Sequence, residues 1–329
     1  MAGGIAAGSE AGVAIPVHEE RGALGLHRLI FVGLAAFLAV APFLFYPVFL
    51  MKVMCFGLFA CAFNLLLGYG GLLSFGHAAY FGMASYVAAY TAKTYGATPE
   101  LAILAGTCAA ALLGLLFGAL AIRRQGIYFA MITLALAQMV FFFSVQAPFT
   151  GGEDGIQAVP RGRLFGAISL VDDRTLYWLV LAVFLGGLLL IYRIIHSPFG
   201  QVLKAIRDNE PRAISLGYRV NQYKLAVFVL SATLAGLAGA TKALVFQLAS
   251  LTDVHWTMSG EVVLMTLVGG MGTVFGPIVG ALVIITMETY LATFGAWVTV
   301  IQGLVFVVCV LLFREGVVGV VGRWIRRPL

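Results

Sequence analysis

Charge is what this chain of 329 residues lacks: Asp, Glu, Lys and Arg make up only 10% of it, whereas 61% is hydrophobic. A soluble domain could not bury so much apolar surface and still expose a polar coat. Apolar runs of about 17 to 25 residues recur along the chain, and this length spans a bilayer. The short alternating strands of a membrane β-barrel are missing. We therefore predict an all-α polytopic membrane protein, because each run must satisfy its own backbone hydrogen bonds.

Cysteine is scarce, and no nucleotide-binding motif occurs. The four cysteines lie inside apolar runs without metal-ligand spacing, and we interpret them as packing residues: Cys55, Cys61, Cys108 and Cys309. The absence of G-x-x-x-x-G-K-[ST] means that this chain does not itself cradle the phosphates of ATP. The net charge of +6 comes from basic residues beside helix ends, which indicates cytoplasmic loops and not nucleic-acid binding. No catalytic residue, metal ion or cofactor is predicted.

The apolar runs give ten candidate spans. They are 28–50, 52–68, 77–93, 100–122, 126–147, 176–195, 223–248, 258–270, 275–293 and 297–314. Three are short for a complete crossing: 52–68, 77–93 and 258–270. The last covers about 20 Å of a core about 30 Å thick, so it is either tilted into protein or a re-entrant half-helix.

Basic residues set the predicted orientation. They precede the first span, fill the turn after the fourth, crowd the loop after the sixth and follow the tenth. With ten spans all four groups lie on one side, which the positive-inside rule makes cytoplasmic, so both termini are expected there. We divide the chain into a disordered cytoplasmic tail (1–27), a transmembrane domain (28–314) and a basic cytoplasmic tail (315–329). A cytoplasmic loop at 196–222 and an outer loop at 148–175 join spans.

The stretch "GYGGLLSFGHAAYFGMASY", residues 68–86, interrupts the apolar pattern. Gly70 and Gly71 free the backbone to leave helical geometry. Inside a membrane such backbone is tolerated only when it is buried in protein or lines a wet cavity. Ser74 is expected to cap the following helix, whose small residues allow close helix packing. We predict a broken, tightly packed element that acts as a hinge.

Four polar side chains within or beside the spans are candidates for a translocation path: Asn64, His77, Tyr80 and Gln138. The alternative role is structural. His77 would then bond a neighbouring backbone carbonyl, Asn64 would form an interhelical hydrogen bond, and Gln138 would be an interior polar residue. Neither His77 nor Asn64 has the partners that a proton relay or a metal site requires.

Ionisable side chains inside the spans are few. Lys52 and Lys242 lie near span ends, where their ammonium groups can snorkel to the interface. Glu288 lies towards an outer end, and Glu261 lies near a helix start, where the dipole favours a carboxylate. Paired carboxylates and arginine ladders are absent from the spans, which argues against an ion-driven carrier and a voltage sensor.

A weak internal similarity links "GYGGLLSFGHAAYFG" at 68–82 with "VGGMGTVFGPIVGAL" at 268–282. Each places a glycine pair, a Ser or Thr and then Phe-Gly between two short spans, so Gly269 and Gly270 match Gly70 and Gly71 as hinge candidates. Many transporters consist of two related halves, with the substrate path beside broken helices. The alternative is that glycine-rich turns in membrane proteins resemble one another.

The cytoplasmic loop contains a second short helix. Asp208 or Asn209 can cap it, Pro211 lies in its first turn, and Gly217 follows its end. Three apolar residues would give this helix an exposed patch: Ala213, Ile214 and Leu216. Such a patch in a charged loop suggests a protein partner. An amphipathic helix on the membrane surface is the alternative.

Five stretches together resemble the LivM-type permease subunits of bacterial branched-chain amino acid ABC transporters. They are "LLLGYGGLLSFGHAAYFGMASY", "GIYFAMITLALAQM", "TGGEDGI", "KAIRDNEPRAISLGYRVNQYKLAVFVLSATLAGLAGA" and "GGMGTVFGPIVGA". The resemblance covers residues 45 to 315 and leaves out the N-terminal tail. It implies a type II-like ABC importer in the bacterial inner membrane. The partners would be a LivH-like second permease, two cytosolic ATPases, a periplasmic binding protein and membrane lipid.

The resemblance also assigns the short loop helix. "EPRAISLG" is similar to the coupling motif of ABC importers, whose helix docks on the ATPase, although Pro211 and Arg212 replace the usual alanine pair. The residues implied in coupling are Glu210, Arg212, Ala213, Leu216 and Gly217. Leucine, isoleucine and valine are the expected substrates. Urea, short amides or aromatic acids are the alternatives within the family, and a self-sufficient secondary transporter or an intramembrane enzyme lies outside it.

Overall fold

The computed structural model describes residues 17–295, 297–312, 316, 318 and 319. Thirteen α-helices form most of this described part: α1 Val17–Val40, α2 Pro47–Asn64, α3 His77–Thr94, α4 Pro99–Ala121, α5 Ile127–Gln146, α6 Asp173–Ile195, α7 Pro198–Asp208, α8 Glu210–Ser215, α9 Val220–Phe246, α10 Leu251–Val254, α11 Trp256–Gly269, α12 Gly276–Tyr290 and α13 Trp297–Leu312. Four strands of two residues each are β1 Ile156–Gln157, β2 Arg163–Leu164, β3 Ile168–Ser169 and β4 Leu248–Ala249.

Five helices in the described part of the chain are long and apolar enough to cross a membrane. They are α2 with its extension to Tyr69, α4, α5, α6 and α9. Two shorter apolar helices are Leu29–Phe43 and Gly276–Tyr290. The prediction of an all-α polytopic membrane protein is confirmed.

The boundaries near the N-terminus differ from those predicted. The span predicted at 28–50 is interrupted: α1 ends at Val40, a 3-10 turn follows at Ala41–Phe43, and α2 begins at Pro47. Proline lacks the backbone N–H that an uninterrupted helix requires, which explains the break. α1 begins at Val17, before the predicted end of the tail at residue 27. Residues 1–16 and almost all of 315–329 lie outside the described residues.

Helix α3 lies at the centre of the molecule, packed against α4 and α9, which also pack against each other. Glycines make these contacts close. A Cβ on Gly239 of α9 would lie 2.0 Å from the carbonyl oxygen of Phe81, and one on Gly106 of α4 would lie 2.5 Å from that of Ala84. Small residues at helix interfaces allow this approach in membranes. The predicted close packing of this helix is confirmed.

Helices α11 and α12 form a tight antiparallel hairpin. A Cβ on Gly280 would lie 1.8 Å from the carbonyl oxygen of Met265, and one on Gly269 would lie 2.0 Å from that of Gly276. With 14 residues, α11 is about 21 Å long, as the short span at 258–270 predicted. The α11–α12 hairpin packs against α2. Lys52 of α2 and Glu288 of α12 form an ion pair of 3.0 Å.

The two ends of the bundle carry different structures. At one end, which we call the strand end, β1 pairs antiparallel with β4, and β2 pairs antiparallel with β3. At the other end, α7 and α8 form a second helical hairpin between α6 and α9. We call this end the hairpin end. Cys55 and Cys61 are buried as predicted, whereas Cys108 is exposed on α4, so the prediction of a packing role is wrong for Cys108.

A buried ion pair fixes α10 to α9. The Lys242 ammonium lies 2.6 Å from one carboxylate oxygen of Asp253 and 2.8 Å from the other. Both side chains are under one tenth exposed. The prediction that Lys242 snorkels to the interface is wrong, because its ammonium group is buried against Asp253. The sequence did not indicate this pair, since Asp253 lies outside the predicted spans and the fold of α10 brings it close to Lys242.

Replacing Gly239 with alanine should lower the free energy of unfolding by about 1–3 kcal/mol, because the added methyl group overlaps the Phe81 carbonyl. The measurement is unfolding in mixed micelles with increasing SDS, followed by helical circular dichroism. Gly186→Ala is the control, since its Cβ would meet nothing within 4 Å. Equal losses in both variants would contradict the close packing of α3 and α9.

Replacing Lys242 with methionine should cost about 3–5 kcal/mol, because the Asp253 carboxylate stays buried without its partner. Adding Asp253→Leu should recover part of that loss. The same SDS titration measures both. Asp208→Asn, which removes a largely exposed carboxylate, is the control and should change stability by less than about 1 kcal/mol. A double variant less stable than Lys242→Met would oppose the pairing.

Candidate functional site

The chain leaves regular helix between α2 and α3. The end of α2 widens into a π-helical segment, Leu65–Tyr69, and an irregular stretch then leads to the start of α3 at His77. Gly71 has a φ of +67°, a conformation that favours glycine. We call residues 65–76 the α2–α3 break, and it confirms the prediction of a broken element.

Asn64 joins this break to the turn between α11 and α12. Its Nδ2 donates to the carbonyl of Thr273 over 2.8 Å, and its Oδ1 accepts from the backbone N–H of Gly272 over 3.0 Å. The side chain is only 2% exposed. Asn64 therefore forms the hydrogen bond to another segment that its structural interpretation predicts, whereas its place beside a translocation path stays a prediction. Asn64 lies just before the glycine-rich stretch at 68–82 and bonds to the similar stretch at 268–282, whereas the internal repeat stays a prediction.

His77 begins α3 and is fully buried. Its Nε2 lies 2.8 Å from the Ser231 hydroxyl of α9, and that hydroxyl donates to the carbonyl of Ala62 over 2.6 Å. Because serine has one proton to donate, His77 must be the donor through Nε2–H. The predicted bond to a neighbouring backbone carbonyl is wrong, since Ser231 stands between the ring and that carbonyl.

Side chains from three segments satisfy the backbone at the start of α3. The N–H groups of Gly76, Phe75 and Ala78 donate to the hydroxyls of Ser74, Thr133 and Ser259, respectively. Ser74 therefore caps the turn before α3 and not its first turn as predicted. Thr133 of α5 and Ser259 of α11 were missed. In the sequence, only a hydroxyl group within an apolar helix distinguishes these two residues. Such a hydroxyl often bonds to a carbonyl of its own helix instead, so it does not predict a contact with another segment.

The remaining path candidates lie in different surroundings. Tyr80 is 1% exposed among the rings of His77, Phe117 and Phe228. Gln138 of α5 is half-buried and forms no hydrogen bond within the described residues. Gly70, Gly269 and Gly270 are buried in the turns, whereas Gly71 is exposed. A role in the translocation path stays a prediction for all of them.

The hairpin of α7 and α8 has the local structure that its sequence predicts. Asn209 caps α8 by accepting from the N–H of Arg212 over 3.1 Å, Pro211 lies in the first turn, and Gly217 follows with a φ of +87°. Ser197, which was not predicted, caps α7 by accepting from the N–H of Gly200 over 3.3 Å. Caps at both helix starts give the hairpin a defined shape.

One side of α8 is buried and the other is exposed. Ala213 packs with Ile206 and Val220 in a small core, so its prediction as part of an exposed patch is wrong. Ile214 and Leu216 are 58% and 69% exposed, as predicted. The exposed patch on α8 therefore consists of Ile214 and Leu216, with Arg212 and Gly217 exposed around it.

Glu210, predicted to act in coupling, points into the protein. Its carboxylate accepts from the Lys224 ammonium of α9 over 2.8 Å and from the Gln125 amide of the α4–α5 turn over 2.9 Å. These contacts fix α8 to α9 and to the α4–α5 turn. Glu210 is therefore held by contacts within the chain, whereas Ile214 and Leu216 are exposed.

Two cations of α7 contact the α2–α3 break. Arg207 donates through Nη1 to the carbonyl of Gly68, and the Lys204 ammonium lies 5.6 Å from the centre of the Tyr69 ring. Burial, and then repulsion from Arg207, lower the pKa of Lys204 below its ordinary value. α7 is thus joined to the same segment that Asn64 joins to the α11–α12 turn.

Within the described residues, no group of three or more His, Cys, Asp or Glu side chains could hold a metal ion. What the site offers is a set of mechanical connections between a projecting hairpin and a break in the bundle. A family model described as "Branched-chain amino acid transport system / permease component" matches residues 47–311. The chain belongs to this family. It is accordingly a multi-pass membrane protein of a permease family.

Two relatives illustrate the range of the family. The LivM high-affinity branched-chain amino acid permease of Escherichia coli is 26% identical over 77% of this chain and 63% of its own length. The ribose import permease RbsC of Bacillus subtilis is 28% identical over 55% of this chain and 58% of its own. The chain thus spans less than two thirds of the curated relatives it matches. No solved structure matches.

Replacing Asn64 with alanine should cost about 1–3 kcal/mol, because the Gly272 N–H and Thr273 carbonyl lose their buried partner. Amide hydrogen exchange of residues 270–276 should also become faster. Thr107→Ala is the control, since that hydroxyl bonds only to Ile103 of its own helix. Unchanged exchange at 270–276 would contradict the bridge.

Proposed function

We propose that this chain is the permease subunit of a bacterial ABC importer for branched-chain amino acids. The observation that carries the proposal is the α7–α8 hairpin, which exposes Ile214 and Leu216 at the hairpin end. An exposed apolar patch at the tip of a capped helix suits docking to a protein. In the proposed importer that partner is a cytosolic ATPase, and the hairpin end is cytoplasmic.

The connections of the hairpin support a route for coupling. An ATPase that pulls on α8 would move α9 through the Glu210–Lys224 ion pair and the α2–α3 break through Arg207 and Gly68. The break and the α11–α12 turn would follow together because Asn64 bonds them. In this mechanism Gly70, Gly71, Gly269 and Gly270 are the hinge, and Asn64, Ser74, His77, Tyr80 and Gln138 lie beside the path.

The relatives support the proposed substrate class. The match to the E. coli LivM permease covers 77% of this chain at 26% identity, against 71% at 23% identity for the fructose permease FrcC of Rhizobium meliloti and 55% for the ribose permease RbsC. The longer match favours branched-chain amino acids over sugars. A second permease, two ATPases and a periplasmic binding protein complete the proposed complex in the inner membrane, with both termini in the cytoplasm.

The test is co-purification of tagged, membrane-extracted protein, with the recovered subunits identified by mass. The wild type should retain a nucleotide-binding subunit, and Leu216→Glu with Ile214→Glu should lose it, because two charges replace the docking patch.

Ile168→Glu is the matched control, since Ile168 is also exposed, at 51%, but lies in the strand-end loop. It should leave recovery unchanged. If the wild-type chain is purified without an ATPase and still transports leucine into liposomes, the proposal is wrong and the chain is a self-sufficient transporter.

A further inference from the structure

A cavity of about 430 Å³ opens at the hairpin end. Three segments enclose it: the α4–α5 turn, α8 and the first turn of α9. The α4–α5 turn and the start of α9 lie where apolar helices end, which is where a membrane interface is expected. Ligand pockets in proteins range from about 300 to 1,000 Å³, so this volume is large enough for a small ligand.

The cavity carries positive charge that the protein does not neutralise. Arg123 and Arg219 line it, both exposed, and neither guanidinium forms a hydrogen bond or ion pair within the described residues. The one carboxylate among the lining residues, Glu210, is bound by Lys224 and Gln125. The positive end of the α9 dipole adds to the same field. An anion would find two free arginines and no competing carboxylate.

A second cavity shows the contrast. It has about 460 Å³ and lies at the strand end, where Arg161 and Arg163 line it. There the Arg161 guanidinium is already occupied by the Asp173 carboxylate at 2.6 Å and by the carbonyls of Val171 and Val245. The Arg163 guanidinium forms no hydrogen bond or ion pair within the described residues, so this cavity offers one unoccupied guanidinium group, whereas the cavity at the hairpin end offers two.

Apolar surface adjoins the cavity at the hairpin end. The helices that meet at its turn expose Leu116 and Leu120 of α4 and Ile127 and Met131 of α5, each more than half accessible. Acyl chains can cover such a surface, whereas a free phosphate ion would leave it bare. Basic pockets between membrane helices are suited to anionic headgroups.

We propose that Arg123 and Arg219 bind the phosphate of an anionic phospholipid whose acyl chains lie on α4 and α5. The ligand chemistry is a phosphate ester, and the apolar surface assigns it to lipid. Because α8 forms one wall, a bound headgroup would brace the hairpin against the α4–α5 turn. In the orientation given under the proposed function, this lipid lies in the inner leaflet. That leaflet assignment rests on the proposed function, whereas the binding itself does not.

The test is native mass spectrometry of the delipidated, detergent-purified chain, titrated with dioleoylphosphatidylglycerol, dioleoylphosphatidylcholine or inorganic phosphate. The wild type should retain phosphatidylglycerol over phosphatidylcholine. Arg123→Gln with Arg219→Gln should weaken that retention by about fivefold or more for each arginine. Arg163→Gln with Arg174→Gln removes the same charge at the strand end and should change nothing. Circular dichroism and gel filtration confirm that each variant is folded.

Equal retention of the two lipids, or an equal loss in both double variants, would overturn the proposal. Binding of inorganic phosphate that displaces the lipid would overturn the lipid assignment and give the site to the free ion. The experiment contains no ATPase and no transport step. Its failure would therefore leave the co-purification result standing, and the reverse also holds.

Discussion

The structure depends on satisfying backbone polar groups where the helices are broken inside the bundle. In an apolar medium an unpaired N–H or C=O costs several kcal/mol, so a break survives only if other segments supply partners. Asn64 does this for the α11–α12 turn, and Ser74, Thr133 and Ser259 do it for the start of α3. The close glycine contacts around α3 follow from the same requirement, because donors and acceptors must come within bonding distance.

The breaks also explain how an end of the molecule can be joined to its interior. A continuous helix would move as one rod, whereas the segment between α2 and α3 is held by contacts on both sides. Arg207 bonds it from the hairpin, and Asn64 bonds it to the α11–α12 turn. The His77–Ser231–Ala62 chain fixes α3 to α9 and α2 just beyond it. The α7–α8 hairpin is thus joined to the interior of the bundle through a few named hydrogen bonds.

Local patterns predicted the features whose causes are local. The helical class, the break at Gly70 and Gly71, the Asn209 cap and the turn at Gly217 follow from residues within a few positions of each other. Partners distant in sequence were not predictable. Ser231 lies 154 residues from His77, and Ser259 lies 181 residues from Ala78. The inward turn of Glu210 and the burial of Lys242 were missed for the same reason, since each depends on where another helix places its opposite charge.

The small core of Ile206, Ala213 and Val220 has a consequence for the kinetics of assembly. Because these side chains already pack together, the hairpin does not have to fold when a partner arrives. In the proposed complex, docking would lose little conformational entropy, and release would leave the hairpin ready to bind again. A preorganised hairpin of this kind suits an interface that forms and separates repeatedly. A disordered loop would have to become ordered each time the interface forms.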